Sequence, residues 1–168
     1  MSTAACLRAT HRQASVFPYG KNHRVHISSK KGNTFVHIDE GGTTVTAREL
    51  NVDEHLVVKT LVMETDNGDP LLILMHGNKQ VSTKALARTL EVKTVKPCEP
   101  LIAHKHTGYF VGGISPFGTR KSLKVYVEAS IMEFPTIYIN AGKKGLLAKM
   151  SPGDLKKILN LIPVSVAI

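Results

Sequence analysis

The feature of this sequence that most restricts its fold is an apolar segment, residues 56–63, which only a lysine and a threonine interrupt. Successive side chains of a β-strand point to opposite faces of a sheet, and both faces of this segment are apolar. Such a strand has to be covered on both sides. A turn-forming stretch follows at residues 66–70, and residues 71–75 are apolar again. The sequence therefore predicts a β-hairpin over residues 56–75, buried on both faces.

The other predicted elements are short and of both kinds. Apolar and β-branched residues predict further strands at residues 35–38, 125–127 and 136–139. A hydroxyl that can accept an orphan backbone N–H predicts three helix starts, with helices at residues 45–50 after Thr43 or Thr44, at 83–90 after Ser82, and from Ser151 onward. Strands and helices do not alternate regularly, which disfavours a doubly wound parallel sheet. We therefore predict an α+β fold, a mixed sheet with a few flanking helices.

The length and composition fit one globular domain. The chain has 168 residues, of which 42% are hydrophobic, and it has two cysteines. It has no CxxC pair and no apolar stretch of membrane-spanning or signal-peptide length. We therefore expect a soluble, cytoplasmic protein without a disulfide scaffold and without membrane contact.

Basic charge is concentrated near the N-terminus. The net charge is +9, and the first 31 residues hold six basic residues and no acidic ones. We divide the chain here into a basic segment, residues 1–31, which is either an arm or a weakly structured lobe, and a domain over residues 32–168. A basic protein favours polyanions such as RNA, although the same charge also suits a solvated surface that keeps the protein soluble.

Lys59 is the first candidate site residue, because it interrupts an apolar strand. A buried charge without a partner is costly, so a lysine at this position requires either a functional or a structural explanation. Either it serves a substrate, or its ammonium group reaches the surface or pairs with an acid. The strand pattern alone does not separate these readings.

Two glycine-rich segments are further candidates. Residues 107–118 contain four glycines and a proline, and such a loop can present backbone N–H groups to an oxyanion, or it can be a structural turn. It matches neither the phosphate-loop nor the dinucleotide fingerprint. Residues 138–145 end a strand in a basic glycine turn, which could bind phosphate or could close a hairpin.

The sequence contains no motif for a side-chain nucleophile or a metal centre. Neither HExxH nor GxSxG occurs, and the acidic residues are scattered. Cys98 lies in a proline-flanked loop, where a thiol is more often incidental than nucleophilic. His104 and His106 fit a surface strand or loop better than a metal site. A hydrolase with this sequence would have no obvious nucleophile of its own.

Three segments in this order and spacing resemble the YbaK/EbsC family of Cys-tRNA(Pro) deacylases, which is related to the editing (insertion) domain of bacterial prolyl-tRNA synthetase. The segments are residues 58–61 (VKTL), residues 107–118 (TGYFVGGISPFG) and residues 137–145 (IYINAGKKG). The likeness runs from about Gly41 to the C-terminal helix. It implies a single domain built on a mixed, partly barrel-like sheet.

The resemblance also implies roles for individual residues. Lys59 matches the essential lysine of the family, and Gly113 belongs to the loop that faces the aminoacyl ester, so both are expected to be catalytic. The expected substrate-binding residues are Thr60, Gly112, Ile114, Ser115, Pro116, Asn140 and Gly142. The family uses no metal or cofactor, and the sulfur of the substrate is expected to attack its own ester.

The resemblance implies an aminoacyl-tRNA as partner, tRNA(Pro) in particular, with docking on prolyl-tRNA synthetase left open. His106 stands where the family commonly has serine, and Asn140-Ala141-Gly142 stands where it often has Ser-Gly-Gly, so the preferred amino acid is open. The alternatives are a deacylase for Ala-tRNA(Pro) or another mischarged tRNA, a non-catalytic module that binds tRNA or a synthetase, and a small-molecule-binding protein.

Overall fold

The computed structural model describes residues 33–168, with the backbone of residues 15–16 and 25–30. Within these residues there are ten strands: β1 (Ser15–Val16), β2 (Val25–Lys30), β3 (Asn33–Ile38), β4 (Val57–Thr65), β5 (Pro70–His76), β6 (Val95–Pro97), β7 (Lys124–Glu128), β8 (Ile137–Lys143), β9 (Leu146–Met150) and β10 (Leu161–Val164). The α-helices are α1 (Thr43–Leu50), α2 (Thr83–Thr89), α3 (Pro100–Thr107) and α4 (Pro152–Ile158), and short 3₁₀ turns lie at Glu54–Leu56 and Ala129–Glu133.

All the described strands belong to one mixed sheet. Its order is β1-β2-β3-β9-β8-β4-β5-β7-β10, and β6 pairs with β4 beside this path. The pairs β4–β8, β5–β7 and β7–β10 are parallel, and the other pairs are antiparallel. The prediction of an α+β domain with a mixed sheet is confirmed, and the described strands form an open sheet rather than a closed barrel.

The β4–β5 hairpin lies where the apolar pattern predicts it. Its register pairs Val58 with His76 and Glu64 with Pro70, and the turn contains Gly68 at a positive φ of 79°, which glycine adopts without strain. One face of the hairpin packs with β7, β8 and α4, and the other face packs with α2 and the end of the chain. Both faces are therefore covered, as the sequence requires.

The helix starts are predicted correctly at two of three places. Ser82 and Ser151 accept the backbone N–H groups of Ala85 and Asp154 through their hydroxyls. The predicted caps of α1 are wrong, because its N-cap is Gly42 and no side chain caps it. The hydroxyls of Thr43 and Thr44 instead donate to the Glu54 carboxylate, at 2.6 and 2.9 Å.

Helix α3 is absent from the predictions. It begins at Pro100, and its two large apolar residues, Leu101 and Ile102, are 84% and 39% exposed, so the segment shows no amphipathic period. His104 and His106 lie on this helix and not on a surface strand or loop. The sequence reading failed here because α3 presents apolar residues to solvent.

Most of the predicted N-terminal segment, residues 1–31, lies outside the described residues. Strand β2 is described, and it pairs antiparallel with β3 over its whole length. The predicted boundary at residue 31 therefore falls between two paired strands. The division into two segments stays a prediction.

Candidate functional site

The sheet is open along one edge of β4. On one side β4 pairs with β5 from Val58 to Glu64. On the other side it pairs with β8 only at residues 57–58 and with β6 only at residues 63–65. Residues 59–62 therefore have no strand neighbour on this edge within the described sheet.

The main-chain groups of Thr60 face this gap. The carbonyl of Val62 points into it, where it accepts the N–H of Cys98 at 3.0 Å. Alternate residues of a strand direct their N–H and C=O groups to the same edge, so those of Thr60 point the same way as those of Val62. The gap thus offers a donor and an acceptor of the backbone to whatever occupies it.

A cavity of about 430 Å³ lies in the gap between β8 and β6. Its walls are mostly apolar and come from the start of α1, from β4, from the start of α3, from the loop after α3 and from the β8–β9 hairpin. The lining residues are Gly42, Thr43, Thr46, Val57, Val58, Lys59, Thr60, Leu61, Val62, Met63, Pro97, Cys98, Pro100, Ala103, Val111, Gly112, Ile114, Asn140, Gly145 and Leu147.

Lys59 lies at the cavity wall and is half-buried. Its Nζ donates to the Gly77 carbonyl at 3.0 Å, and within the described residues it forms no ion pair. Burial lowers the pKa of Lys59, and the nearby Glu54 carboxylate opposes that shift. An ammonium group has three donors, so this one keeps hydrogen-bonding capacity for a ligand.

Thr60 adds a second polar group to the cavity. The residue is only 8% exposed, and its Oγ1 has no hydrogen-bond partner among the described residues. A buried polar group without a partner costs about 1–3 kcal/mol. An unpartnered hydroxyl in a cavity wall is available to hydrogen-bond a substrate or a water molecule in the cavity.

Some of the loop residues predicted to form the site line the cavity, and the others are buried behind its wall. Gly112 and Ile114 line the cavity, whereas Gly113, Ser115 and Pro116 are buried and do not. The N–H of Gly113 donates to the Phe110 carbonyl at 2.9 Å, which closes a turn. Within the described chain the N–H groups of Gly112 and Ile114 have no acceptor. Among the loop residues predicted to form the site, Gly112 and Ile114 are therefore the two that present a free N–H group at the cavity wall.

Asn140 joins the loop to the β8–β9 hairpin. Its Oδ1 accepts the N–H of Gly142 at 2.8 Å, and its Nδ2 donates to the carbonyls of Lys143 and Gly112 at 3.1 and 3.4 Å. Gly142 has a φ of 100° and does not line the cavity. The basic turn at residues 138–145 is thus a hairpin with a register shift, and Asn140 fixes its position against the loop.

Gly113 is enclosed by the same hairpin. A β-carbon at this position would lie 2.9 Å from the backbone nitrogen of Lys144, a distance that real contacts do not show. The loop can approach the hairpin this closely only with glycine at position 113. Gly113 therefore sets the distance between the two walls.

Cys98 lines the cavity but has the properties of an inert thiol. Its Sγ donates to the Glu64 carboxylate at 3.5 Å. Burial, together with that carboxylate, raises the pKa of Cys98 to about 12, so the reactive thiolate form is scarce at neutral pH. The described residues also contain no group of three metal-ligating side chains.

Several residues that line the cavity are not predicted from the sequence. Gly42 and Thr46 come from the start of α1, and Pro100 and Ala103 come from α3. The glycine pair at residues 41–42 is a visible signal, but it predicts only a break in the chain. In the part of the chain that the structure describes, no helix is long and apolar enough to cross a membrane.

Comparisons with known proteins agree with this architecture. A relative from Enterococcus faecalis, "Putative Cys-tRNA(Pro)/Cys-tRNA(Cys) deacylase EbsC", is 27% identical over 68% of this chain and 70% of its own. A Proline--tRNA ligase of Streptococcus suis is 25% identical over 76% of this chain but only 22% of the ligase.

A solved structure described as "a putative trans-editing enzyme for prolyl tRNA synthetase" shares the fold, with a TM-score of 0.74 and 18% identity over 80% of this chain and 85% of that one. Residues 41–158 match the family model "Aminoacyl-tRNA editing domain", and they include all the cavity walls. The chain therefore belongs to the aminoacyl-tRNA editing domain family.

Proposed function

We propose that this protein is a trans-acting deacylase that hydrolyses the ester of mischarged Cys-tRNA(Pro) in the cytoplasm. The observation that carries the proposal is the cavity beside β4, because its apolar walls contain polar groups with unused hydrogen-bonding capacity. The family model and the name of the Enterococcus relative support the substrate class. Prolyl-tRNA synthetase is the proposed docking partner that would supply tRNA selectivity.

In this proposal the aminoacyl group occupies the cavity and its main chain lies along the open edge of β4. The Thr60 carbonyl accepts from the α-amino group, and the Thr60 hydroxyl binds a second substrate atom. The Lys59 ammonium binds a phosphate or ribose oxygen of the terminal nucleotide. Positioning of this kind supplies much of the rate enhancement when no protein nucleophile takes part.

The ester is then broken by the substrate itself. Its sulfur bonds to the carbonyl carbon, the bond from that carbon to the ribose oxygen breaks, and the ribose oxygen takes up the thiol proton. Water then opens the cyclic thioester to give cysteine. The free N–H groups of Gly112 and Ile114 are the proposed donors to the developing oxyanion, and one such donor is worth about 10²–10³ in rate.

The test is deacylation of Cys-tRNA(Pro), Ala-tRNA(Pro) and Pro-tRNA(Pro) by the purified protein. We expect loss of cysteine with proline spared, and a fall in kcat/KM of about 10² or more in Lys59→Ala, the scale of one lost transition-state contact. Lys156→Ala removes an exposed lysine on α4 and is the matched control, expected to behave like the wild type.

Two outcomes would contradict the proposal. Full activity in Lys59→Ala would remove the lysine from the site. No cleavage of any of the three esters by the folded wild type would reject a deacylase for these tRNAs and favour a binding module.

A second candidate substrate is Ala-tRNA(Pro). Alanine has no thiol, so water would have to attack its ester, and the unpartnered Thr60 hydroxyl is a group that could hold that water. A methyl group against a thiol is worth only about 1–3 kcal/mol in discrimination. The same assay separates the two substrates by the ratio of their kcat/KM values.

A further inference from the structure

An exposed aromatic pair lies beside the cavity mouth. Phe110, in the loop after α3, is 76% exposed. Its ring stacks on the imidazole of His104 with ring centroids 4.3 Å apart and planes inclined by 13°. The next residue, Val111, is 65% exposed and also lines the cavity. We call His104, Phe110 and Val111 the stacking platform.

The platform is held in place and does not depend on a partner for its shape. The Nδ1–H of His104 donates to the Tyr109 carbonyl at 3.2 Å, which fixes the imidazole plane. Tyr109 is fixed in turn, because its hydroxyl donates to the Phe117 carbonyl and its ring lies against Gly142. An exposed aromatic face that is already ordered loses little entropy when a flat ligand stacks on it.

The surroundings of the platform are basic. Residues 100–127, which include α3 and the loop, contain four basic residues and no acidic ones, and residues 134–153, which include the β8–β9 hairpin, contain three basic residues and no acidic ones. The side chain of Arg120 lies against Gly108, next to the platform. The exposed acid Glu99 precedes α3. This charge pattern fits a polyanion better than an apolar protein surface.

We propose that the stacking platform binds the unpaired bases that precede the terminal nucleotide at the 3′ end of the tRNA. This inference rests on the proposed function, which places the terminal ribose at the cavity mouth. Only a single strand can offer base faces to an aromatic ring, because the bases of a duplex are already stacked. Stacking of a base on an aromatic side chain strengthens binding by about tenfold or more, and the flanking cations bind the phosphates.

The test is a binding cycle that needs no catalysis. Uncharged tRNA(Pro), with and without its four unpaired 3′ nucleotides, is titrated against the wild type and Phe110→Ala. We expect the wild type to bind the full tRNA about tenfold more tightly than the shortened one. Phe110→Ala should lose most of this difference and keep only the contribution of the terminal nucleotide, and Phe110→Trp should restore the full difference.

Ile158→Ala is the matched control, since it removes a 59%-exposed apolar side chain from α4 and should keep the tenfold difference. Equal binding of the two tRNAs by the wild type would overturn the inference, as would equal losses for both tRNAs in Phe110→Ala.

Kinetics provide a second readout. If the deacylase proposal holds, Phe110→Ala should raise KM about tenfold and leave kcat within about twofold, because the platform binds the RNA and not the ester. A fall in kcat with unchanged KM would contradict the inference. Failure of the deacylase proposal would appear differently, as no cleavage by the wild type with the binding cycle intact.

Discussion

The two edges of strand β4 differ in how far they are paired with other strands. The edge toward β5 is paired from Val58 to Glu64, whereas the edge toward β8 and β6 is paired only at its two ends. The paired edge continues into a hairpin that is covered on both faces, and the open edge borders the cavity. One strand thus contributes to the interior through one edge and to the site through the other.

The difference teaches where stability and binding capacity reside in this fold. Buried backbone groups are nearly always paired in native proteins, so an open edge in the interior carries a cost. In this protein the unpaired edge of β4 and the unpartnered hydroxyl of Thr60 both lie at the cavity. The cavity is therefore where unsatisfied polar groups lower the stability. Substitutions on the two sides of β4 should therefore separate stability from activity.

The largest effect on stability is expected on the paired side. Ile73 of β5 is fully buried and packs on the α2 face, so Ile73→Ala should lower the free energy of unfolding by about 2–5 kcal/mol. Urea denaturation measures this loss. The kcat/KM per folded molecule should change less than about twofold, and a large loss of activity without destabilisation would break the comparison.

Gly113→Ala should affect both quantities, because Gly113 lies between the two walls of the site. The new β-carbon would meet the backbone of Lys144 at 2.9 Å, and overpacking of this kind costs about 1–3 kcal/mol. We also expect a loss of deacylation of tenfold or more. In the matched control, Gly153→Ala, the β-carbon meets nothing closer than 3.6 Å, and wild-type activity in Gly113→Ala would contradict the assigned spacing role.

Thr60→Val should act on activity alone. Valine keeps the shape of threonine and removes a hydroxyl that has no protein partner, so the free energy of unfolding should stay the same or rise. The kcat/KM should fall about tenfold, the equivalent of one neutral hydrogen bond, and Thr60→Ser should restore most of it. Full activity in Thr60→Val would remove the hydroxyl from substrate binding.

Acid should weaken the paired side through His76. This histidine is 1% exposed, its ring lies 2.6 Å from the His55 carbonyl and 2.8 Å from the Ser130 hydroxyl, and burial lowers its pKa. The unfolded chain takes up a proton near pH 6.5, before the folded chain does, so stability falls as the pH drops below that value. Urea midpoints at pH 7.5 and 5.0 measure the fall.

The control for this pH dependence is a histidine on another strand. His76→Asn should reduce the difference between the two urea midpoints, whereas His37→Asn, on β3, should keep it. An unchanged difference in His76→Asn would assign the pH dependence to other groups.

The smallest effect is expected for Cys98→Ser. Its thiol lines the cavity, but its pKa is raised to about 12, and a serine hydroxyl can keep the hydrogen bond to Glu64. We expect kcat/KM to change less than about twofold for Cys-tRNA(Pro). A loss of two orders of magnitude would show that a thiol of the protein, and not that of the substrate, attacks the ester.

The sequence predicts the paired side of the molecule well. The apolar pattern of residues 56–75 is local, and it gives the hairpin and its burial. Lys59 and Thr60 are visible as the two residues that break this pattern. Their neighbours in the cavity are not predictable in the same way, because the gap depends on where β6 and β8 stop pairing, and these strands are distant in sequence.

The errors of the sequence reading have a common physical origin. Thr43 and Thr44 have the chemistry of helix caps, but the Glu54 carboxylate takes both hydroxyls. Helix α3 lacks an amphipathic period because Leu101 faces solvent. In each case a tertiary contact or an exposed surface overrides the local signal, and both helices contribute other residues to the cavity wall.

The mixed sheet has a consequence for the order in which the chain folds. The hairpins β4–β5 and β8–β9 each join neighbours in sequence, and the backbone pairing between them in the described sheet is the short parallel one of β4 with β8. Local contacts form faster than distant ones, which first require closure of a long loop. We therefore expect the hairpins to form early and to join late, so that the cavity is among the last features to form during refolding.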